Sequence, residues 1–185
     1  AALRVPAQIG LRHLQRRFLR SMRAIFATSD ATIDAIANQS HTPIVRNPLG
    51  IDLADFRHAR PDLGLRRRLV PEGGPLLVHA GRMTSDKRVD LLIPTLAQLP
   101  EGVLAIAGRG TMQGAIEREA RERGLGHRLV MLGHLPERST LASVLATADC
   151  FIHPNPREPY GLGPLEALAA GCRVVAPRTD GTGEV

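Results

Sequence analysis

Aromatic side chains are nearly missing from this chain: one Tyr, four Phe and no Trp among 185 residues. Proteins that hold nucleic acid single strands stack the bases on aromatic faces, so a nucleic-acid partner is not expected despite the net charge of +6. That charge is also localised. Residues 1–24 hold six arginines, Arg4, Arg12, Arg16, Arg17, Arg20 and Arg23, and no acid, which leaves 18 basic and 18 acidic residues in the remainder. Cysteine is scarce as well. Cys150 and Cys172 lie in apolar surroundings without a C-x-x-C spacing, which argues against a disulfide framework or a zinc site and makes a reduced, cytoplasmic setting the expectation. No apolar run approaches the roughly 18 residues that cross a bilayer, and no secretory signal pattern opens the chain, so neither a span nor export is expected.

Lysine is the other shortage. Of 24 basic residues, 23 are arginine, and the single lysine is Lys87. Lysine is a compact point charge on a flexible stem, while arginine offers a rigid planar fork, so a chain that uses arginine everywhere else keeps an ammonium at 87 for a reason specific to that place.

The length accommodates one full domain, or one domain with a piece of another, and we expect a fragment of a longer protein. The basic N-terminal segment places Leu11, Leu14, Phe18, Met22 and Ile25 at helical spacing with arginines between them, which predicts an amphipathic helix. Its apolar stripe either covers a core outside this chain or lies against anionic lipid headgroups, which attract such basic residues by about 1 kcal/mol each; the contacting residues would be 9–26. Ala24–Thr28 then reads as a short strand, with Asp30 capping a helix to Ala37, and the 47–50 turn marks a crossing.

From Pro75 the pattern is regular. Apolar runs at 76–80, 103–107, 129–132, 150–153 and 173–176 alternate with helical stretches at 89–99, 112–123, 139–146 and 164–170. Continuous apolar strands alternating with helices indicate an α/β doubly wound parallel sheet, buried on both faces. Ligands of such sheets bind beyond the carboxyl ends of the strands, so the loops at 81–88, 108–111, 133–136 and 154–163 share one crevice.

The last of these loops, Pro154 to Gly163, is stiffened by three prolines and freed at Gly161 and Gly163. Pro164 is expected at the first helical position and Glu166 in the first turn. Free backbone N–H groups and a positive helix terminus make an anion site here. The motif Gly108-x-Gly110 with Gly114 is spaced G-x-G-x3-G, and the next strand lacks the acid of a dinucleotide fingerprint, which argues against such a cofactor.

Glu158 and Glu166, eight positions apart in Glu158-Pro-Tyr-Gly-Leu-Gly-Pro-Leu-Glu166, resemble the E-x7-E segment of retaining GT-B glycosyltransferases, family 4-like (glycosyl transferases group 1). Gly81-Arg82 with Lys87 resembles the G-R-x4-K element of that family, Gly108-Arg109-Gly110 its strand-ending turn, and Asn47 to Asp52 its interdomain N-G-[IV]-D with Pro48-Leu49 inserted. Gly133 to Pro136 and Ala148-Asp149 also fall where the family has them.

The resemblance implies a Rossmann-like donor domain at 43–185, truncated at its C-terminus, preceded at 1–42 by the tail of the acceptor-side domain. It implies transfer of a sugar from a nucleoside-diphosphate sugar to an acceptor sugar or lipid-linked sugar, with retention of configuration, no metal and no cofactor. By the same resemblance, Arg82, Lys87 and Glu158 are the catalytic set, with the cations on the diphosphate and Glu158 on a sugar hydroxyl. Tyr160 and Gly161 orient the sugar, and Leu162 and Gly163 meet the diphosphate. Glu166 binds the ribose, His134 and Leu135 flank the base, and Gly81, Gly108 and Gly110 shape the donor site. An epimerase or phosphorylase of the same fold, or a donor-binding fragment without activity of its own, remain the alternatives.

Overall fold

The computed structural model describes residues 4–185, with side chains from Gly10 onward. Residues 1–3 of the segment assigned to the preceding domain, and the side chain of Ile9 in the proposed lipid contact, lie outside the described residues. Helix α1 (Arg4–Ser21) leads into strand β1 (Ile25–Ala27), helix α2 (Asp30–Ala37) and strand β2 (Ile44–Arg46). Ile25 is therefore in a strand and not on the helical stripe. Leu11, Leu14 and Phe18 of that stripe are between 61% and 65% exposed. The cap of α2 is Ser29 and not Asp30: its hydroxyl, fully buried, accepts from the Thr32 N–H, leaving the Asp30 carboxylate to pair with Arg46.

Strands β1 and β2 pair in parallel as a separate two-stranded sheet, so a division after residue 42 runs through this pair. Helices α3 (Leu53–Phe56) and α4 (Leu63–Leu69) follow, and then β3 (Leu76–Ala80), α5 (Leu92–Ala97), β4 (Val103–Ala107), α6 (Gln113–Glu122), β5 (Leu129–Gly133), α7 (Arg138–Thr147), β6 (Cys150–Ile152), α8 (Leu162–Ala169) and β7 (Arg173–Val175). The helix expected at 89–99 is shorter. Val89–Leu91 forms a 3-10 turn that follows the left-handed Arg88, and the α-helix begins at Leu92.

All neighbours in the five-stranded sheet are parallel, in the order β5-β4-β3-β6-β7. Alternate residues serve opposite faces. Leu76, Val78, Val103, Ala105 and Phe151 pack with Phe56, Leu145 and Ala167 from the helices of one layer, while Leu77, Leu104, Ile106 and Ile152 meet Leu92, Leu96 and Ile116 of the other. Burial on both faces explains why the strands read as unbroken apolar runs. Asp149 fixes the start of β3 against β6: its carboxylate accepts the Leu76 N–H at 2.7 Å and pairs with Arg66 at 2.7 Å, while its own N–H donates to the Leu76 carbonyl at 2.9 Å. The chain runs from β3 outward to β5, then returns to place β6 on the other side of β3. The reversal opens a crevice at the carboxyl ends of β3 and β6.

One polar side chain is buried in the central strand. His79 is 2% exposed, and its Nδ1 lies 2.9 Å from the Ile152 carbonyl oxygen. A carbonyl only accepts, so Nδ1 carries the proton and Nε2 is bare. Burial pushes this imidazole down to about 4, against the Ile152 bond, which opposes the shift. Between about pH 6.5 and 4 the unfolded chain takes up a proton that the folded chain refuses, so folding stability falls as pH is lowered through that window, by on the order of 3 kcal/mol in full. His79→Asn keeps a donor for Ile152 but cannot titrate. Thermal melts between pH 7 and 4.5 are expected to show a clearly shallower loss of Tm for this variant than for the parent.

Candidate functional site

Two loops flank the reversal, and the one after β3 is laced by backbone contacts to the turn after β4 before any side chain enters. After β3, Gly81 N–H donates to the Ala107 carbonyl (2.9 Å) and Met83 N–H to the Arg109 carbonyl (3.0 Å), while Met112 N–H returns to the Met83 carbonyl (2.9 Å). This approach is so close that a Cβ on Gly108 would overlap the Gly81 carbonyl, and one on Gly110 the Met83 backbone. Gly108 also has φ +136, which side chains rarely adopt. The lacing holds the turn Ser85–Lys87 over the end of β3 and puts Lys87 beside the β6 loop.

There Lys87 Nζ donates to Glu158 Oε2 at 2.7 Å, across 71 residues of sequence. The fully buried Asn155 donates its Nδ2 to the same oxygen at 2.9 Å and, through Oδ1, accepts the Arg157 N–H at 3.0 Å, which ties the carboxylate to its own loop. Burial alone raises the Glu158 pKa, but the hydrogen bonds from Lys87 and Asn155, with the ammonium charge, outweigh it and hold the carboxyl below its ordinary value. His153 Nε2 is 3.5 Å away, too long for a firm bond, and burial holds that imidazole below its usual value. Among the described residues, Glu158 Oε1 receives no donor.

Helix α8 starts earlier than the sequence suggested. Gly161, at φ +99, turns the chain into the helix at Leu162, which makes Pro164 the third helical residue and puts Glu166 in the second turn. Proline is tolerated there because a first-turn N–H has no partner within the helix. Consequently the first intrahelical bond runs from Leu165 N–H to the Gly161 carbonyl. The N–H groups of Tyr160, Gly161, Leu162 and Gly163 donate to no acceptor among the described residues. These donors and the positive end of α8 lie at the edge of a cavity and suit an anion. Gly163 lets the helix seat closely, since a Cβ there would press on the Phe151 ring at 3.3 Å.

Two adjoining cavities result. One, of about 430 Å³, is lined by Gly81, Arg82, Lys87, Glu158 and residues 159–163, with Thr28 and Leu49 from the leading segment. The second, of about 550 Å³, is lined by Gly81, Arg82, Gly108, His134, Leu135, Gly163 and Glu166. The structure thus brings together every residue singled out from the sequence except Gly110, which lines neither cavity and serves the passage of Met83. Arg82 spans both; its side chain is 71% exposed and lies 3.8 Å from Asp86, so it is little constrained. Burial raises the Glu166 pKa, with Arg138 at 3.4 Å opposing. Among the described residues, no cluster of three His, Cys, Asp or Glu side chains is arranged to hold a metal ion.

Asn155 and His79 escaped the sequence reading. Asn155 sits between two prolines in a loop where nothing in the spacing sets it apart from the residues around Glu158, and His79 is a polar letter in an apolar run, the one signal available for it.

The fold matches solved glycosyltransferases of the GT-B class. Over 94% of this chain it superposes on half of Anabaena HepE in complex with UDP, with a TM-score of 0.79 at 20% identity. Over 92% it superposes on 44% of sucrose-phosphate synthase from Thermosynechococcus elongatus, with a TM-score of 0.80 at 25% identity. In sequence it is 36% identical over 148 residues to the GDP-mannose-dependent α-(1-6)-phosphatidylinositol dimannoside mannosyltransferase of Mycobacterium tuberculosis, covering 78% of this chain and 38% of that one. It is 36% identical over 146 residues to a Mycobacterium tuberculosis glycogen synthase, covering 76% and 33%. The chain therefore spans between a third and two fifths of these curated relatives. The profile of the family described as glycosyl transferases group 1 matches residues 65–185, and the chain belongs to that family.

The lacing of the β3 and β4 loops sets a test. Gly110→Ala is expected to destabilise the fold by about 1–3 kcal/mol, the cost of overpacking against backbone. Gly114→Ala, with nothing within 4 Å of the new methyl, is expected to be neutral or to gain up to about 1 kcal/mol from helix propensity. Urea unfolding of the two variants separates them.

Proposed function

We propose that this chain is the donor side of a retaining, metal-independent glycosyltransferase that moves a sugar from a nucleoside-diphosphate sugar to an acceptor sugar or lipid-linked sugar. The observation that carries the reading is the convergence of the Lys87–Glu158 pair, Arg82 and the unpartnered N–H groups at the start of α8 on one cavity.

The Lys87 ammonium retains two further donors beyond Glu158, and these with Arg82 neutralise the charge that builds on the diphosphate as the bond from the anomeric carbon to its oxygen breaks. The N–H groups of Leu162 and Gly163 hold the same phosphates. Glu158, ionised and fixed by Asn155, accepts a sugar hydroxyl, while Tyr160 and Gly161 orient the ring. Glu166 takes the ribose hydroxyls, and His134 and Leu135 flank the base in the second cavity. The acceptor oxygen bonds to the anomeric carbon, its proton passes to the departing phosphate, and the nucleoside diphosphate leaves. This is electrostatic preorganisation, in which one lost donor costs about a hundred- to a thousandfold in rate. Retention is read from the likeness of the Glu158–Glu166 segment to its family.

Residues up to Arg46, with the β1–β2 pair, are read as the acceptor-side unit and the rest as the donor domain. The exposed stripe of α1 beside its arginines supports a peripheral place on an anionic membrane at the cytoplasmic face. Relatives act on lipid-borne and polymeric acceptors by name, and either class fits this reading.

Calorimetric titration with nucleoside diphosphates and their sugars, in the presence of EDTA, is expected to show binding of at least one pair. Lys87→Ala should weaken it about ten- to a hundredfold, the worth of a hydrogen bond to a charged group. Tight binding of NAD or a methyl donor with no nucleotide bound would overturn the reading.

A further inference from the structure

Between the β3 and β6 loops lies a further pocket of about 570 Å³, lined by Arg82, Lys87, Arg88, Arg157 and Asn155, with Asp86 as its one lining carboxylate. Four cations against one acid is not the average of this chain, in which the residues after 24 carry equal numbers of basic and acidic groups. Lys87 is committed to Glu158 and Arg88 to Asp90 at 3.1 Å, but Arg157 engages only its backbone N–H, with Asn155, and its guanidinium makes no ion pair among the described residues. Arg88 is held at φ +53, a left-handed conformation rare for arginine, at the junction of two 3-10 turns, and it lines the pocket. Arg82 lies only loosely, at 3.8 Å, against Asp86, so the Arg157 and Arg82 guanidinium groups retain donors that an anion in the pocket can engage. Guanidinium forks match the oxygens of a phosphate group bidentately, whether it is a monoester or a diester.

Arg82 and Lys87 line both this pocket and the cavity that holds Glu158, whereas Arg88 and Arg157 line this pocket and neither donor cavity. An anion here therefore sits next to the transfer centre without occupying it. We propose that the pocket receives a phosphate group carried by the acceptor, so that the acceptor class is a phosphorylated one: a free sugar or polyol phosphate, or the phosphate of a lipid headgroup. The proposal rests on the donor reading above for its assignment to the acceptor. The site itself is testable without that reading.

The chain is saturated with the nucleoside diphosphate it binds, which blocks the donor phosphate site, and titrated with sn-glycerol 3-phosphate, with glycerol as the uncharged control; the headgroup arm uses phosphatidylinositol vesicles against phosphatidylcholine vesicles. We expect the phosphorylated probe to bind and glycerol not to. We also expect Arg88→Gln with Arg157→Gln to weaken the phosphorylated probe at least about tenfold while leaving nucleotide affinity unchanged. Binding of glycerol phosphate assigns a free phosphate, and vesicle binding alone assigns a headgroup; either supports the pocket if the double variant loses it. Vesicle binding that the double variant retains comes from α1 and counts against the pocket. Normal nucleotide binding with no response to either probe overturns the proposal and leaves the donor reading standing. If no nucleotide binds, the donor reading fails alone, and the difference between parent and double variant toward glycerol phosphate still decides the pocket.

Discussion

The reversal of strand order at β3 is the constraint on which the site depends. Strands β3 and β6 are hydrogen-bonded neighbours in the sheet, yet the loops that follow them lead to helices of different layers and have to diverge. The space between the diverging loops is the crevice, and the Lys87–Glu158 pair bridges it at 2.7 Å. Neither residue could be placed so without its loop being held from behind: the β3 loop by its backbone exchange with the turn after β4, the β6 loop by Asn155 and by the early start of α8 at Gly161.

That pair also shows how the protein tolerates charge in a partly enclosed place. A half-buried ion pair is a poor stabiliser when desolvation exceeds the attraction, and it persists where further hydrogen bonds satisfy the remaining lone pairs. Asn155 supplies one such bond to Oε2 and leaves Oε1 open. The result is an ionised carboxylate that keeps an unused acceptor, next to an ammonium that keeps unused donors. Nearby, His79 stays neutral because its site penalises the charged form, so the histidine in the sheet adds no positive charge to a crevice that already holds two cations.

Much of the fold was legible in the sequence, for a physical reason: a sheet covered on both faces favours apolar residues at most strand positions, so each strand appears as a largely apolar run. Glycines at 108, 161 and 163 were legible because each position demands a backbone property or close approach that few residues allow, and Lys87 stood out by being the single lysine. The start of α8 was misjudged because Pro164 reads as a first helical residue, while a left-handed glycine three positions earlier had already turned the chain. Ile25 was read onto the helix of residue 18 because spacing does not reveal where a helix gives way to a strand. Asn155 and the basic pocket were illegible for a different reason. Asn155 matters through side-chain contacts two and three residues away that no spacing rule singles out, and the pocket joins loops about seventy residues apart, so in the sequence Arg88 and Arg157 are two of many surface arginines.

The central claim is that Lys87 and Glu158 act as one unit on the donor, and a double-mutant cycle tests it most directly. Affinity for the nucleotide sugar is measured for the parent chain, Lys87→Ala, Glu158→Gln and the double variant. Coupled action predicts that the two losses fail to add by at least about 1 kcal/mol, beyond the roughly 0.3–0.5 kcal/mol within which independent sites add. Additivity within that margin would contradict the account and leave the 2.7 Å contact as a feature of the loops alone.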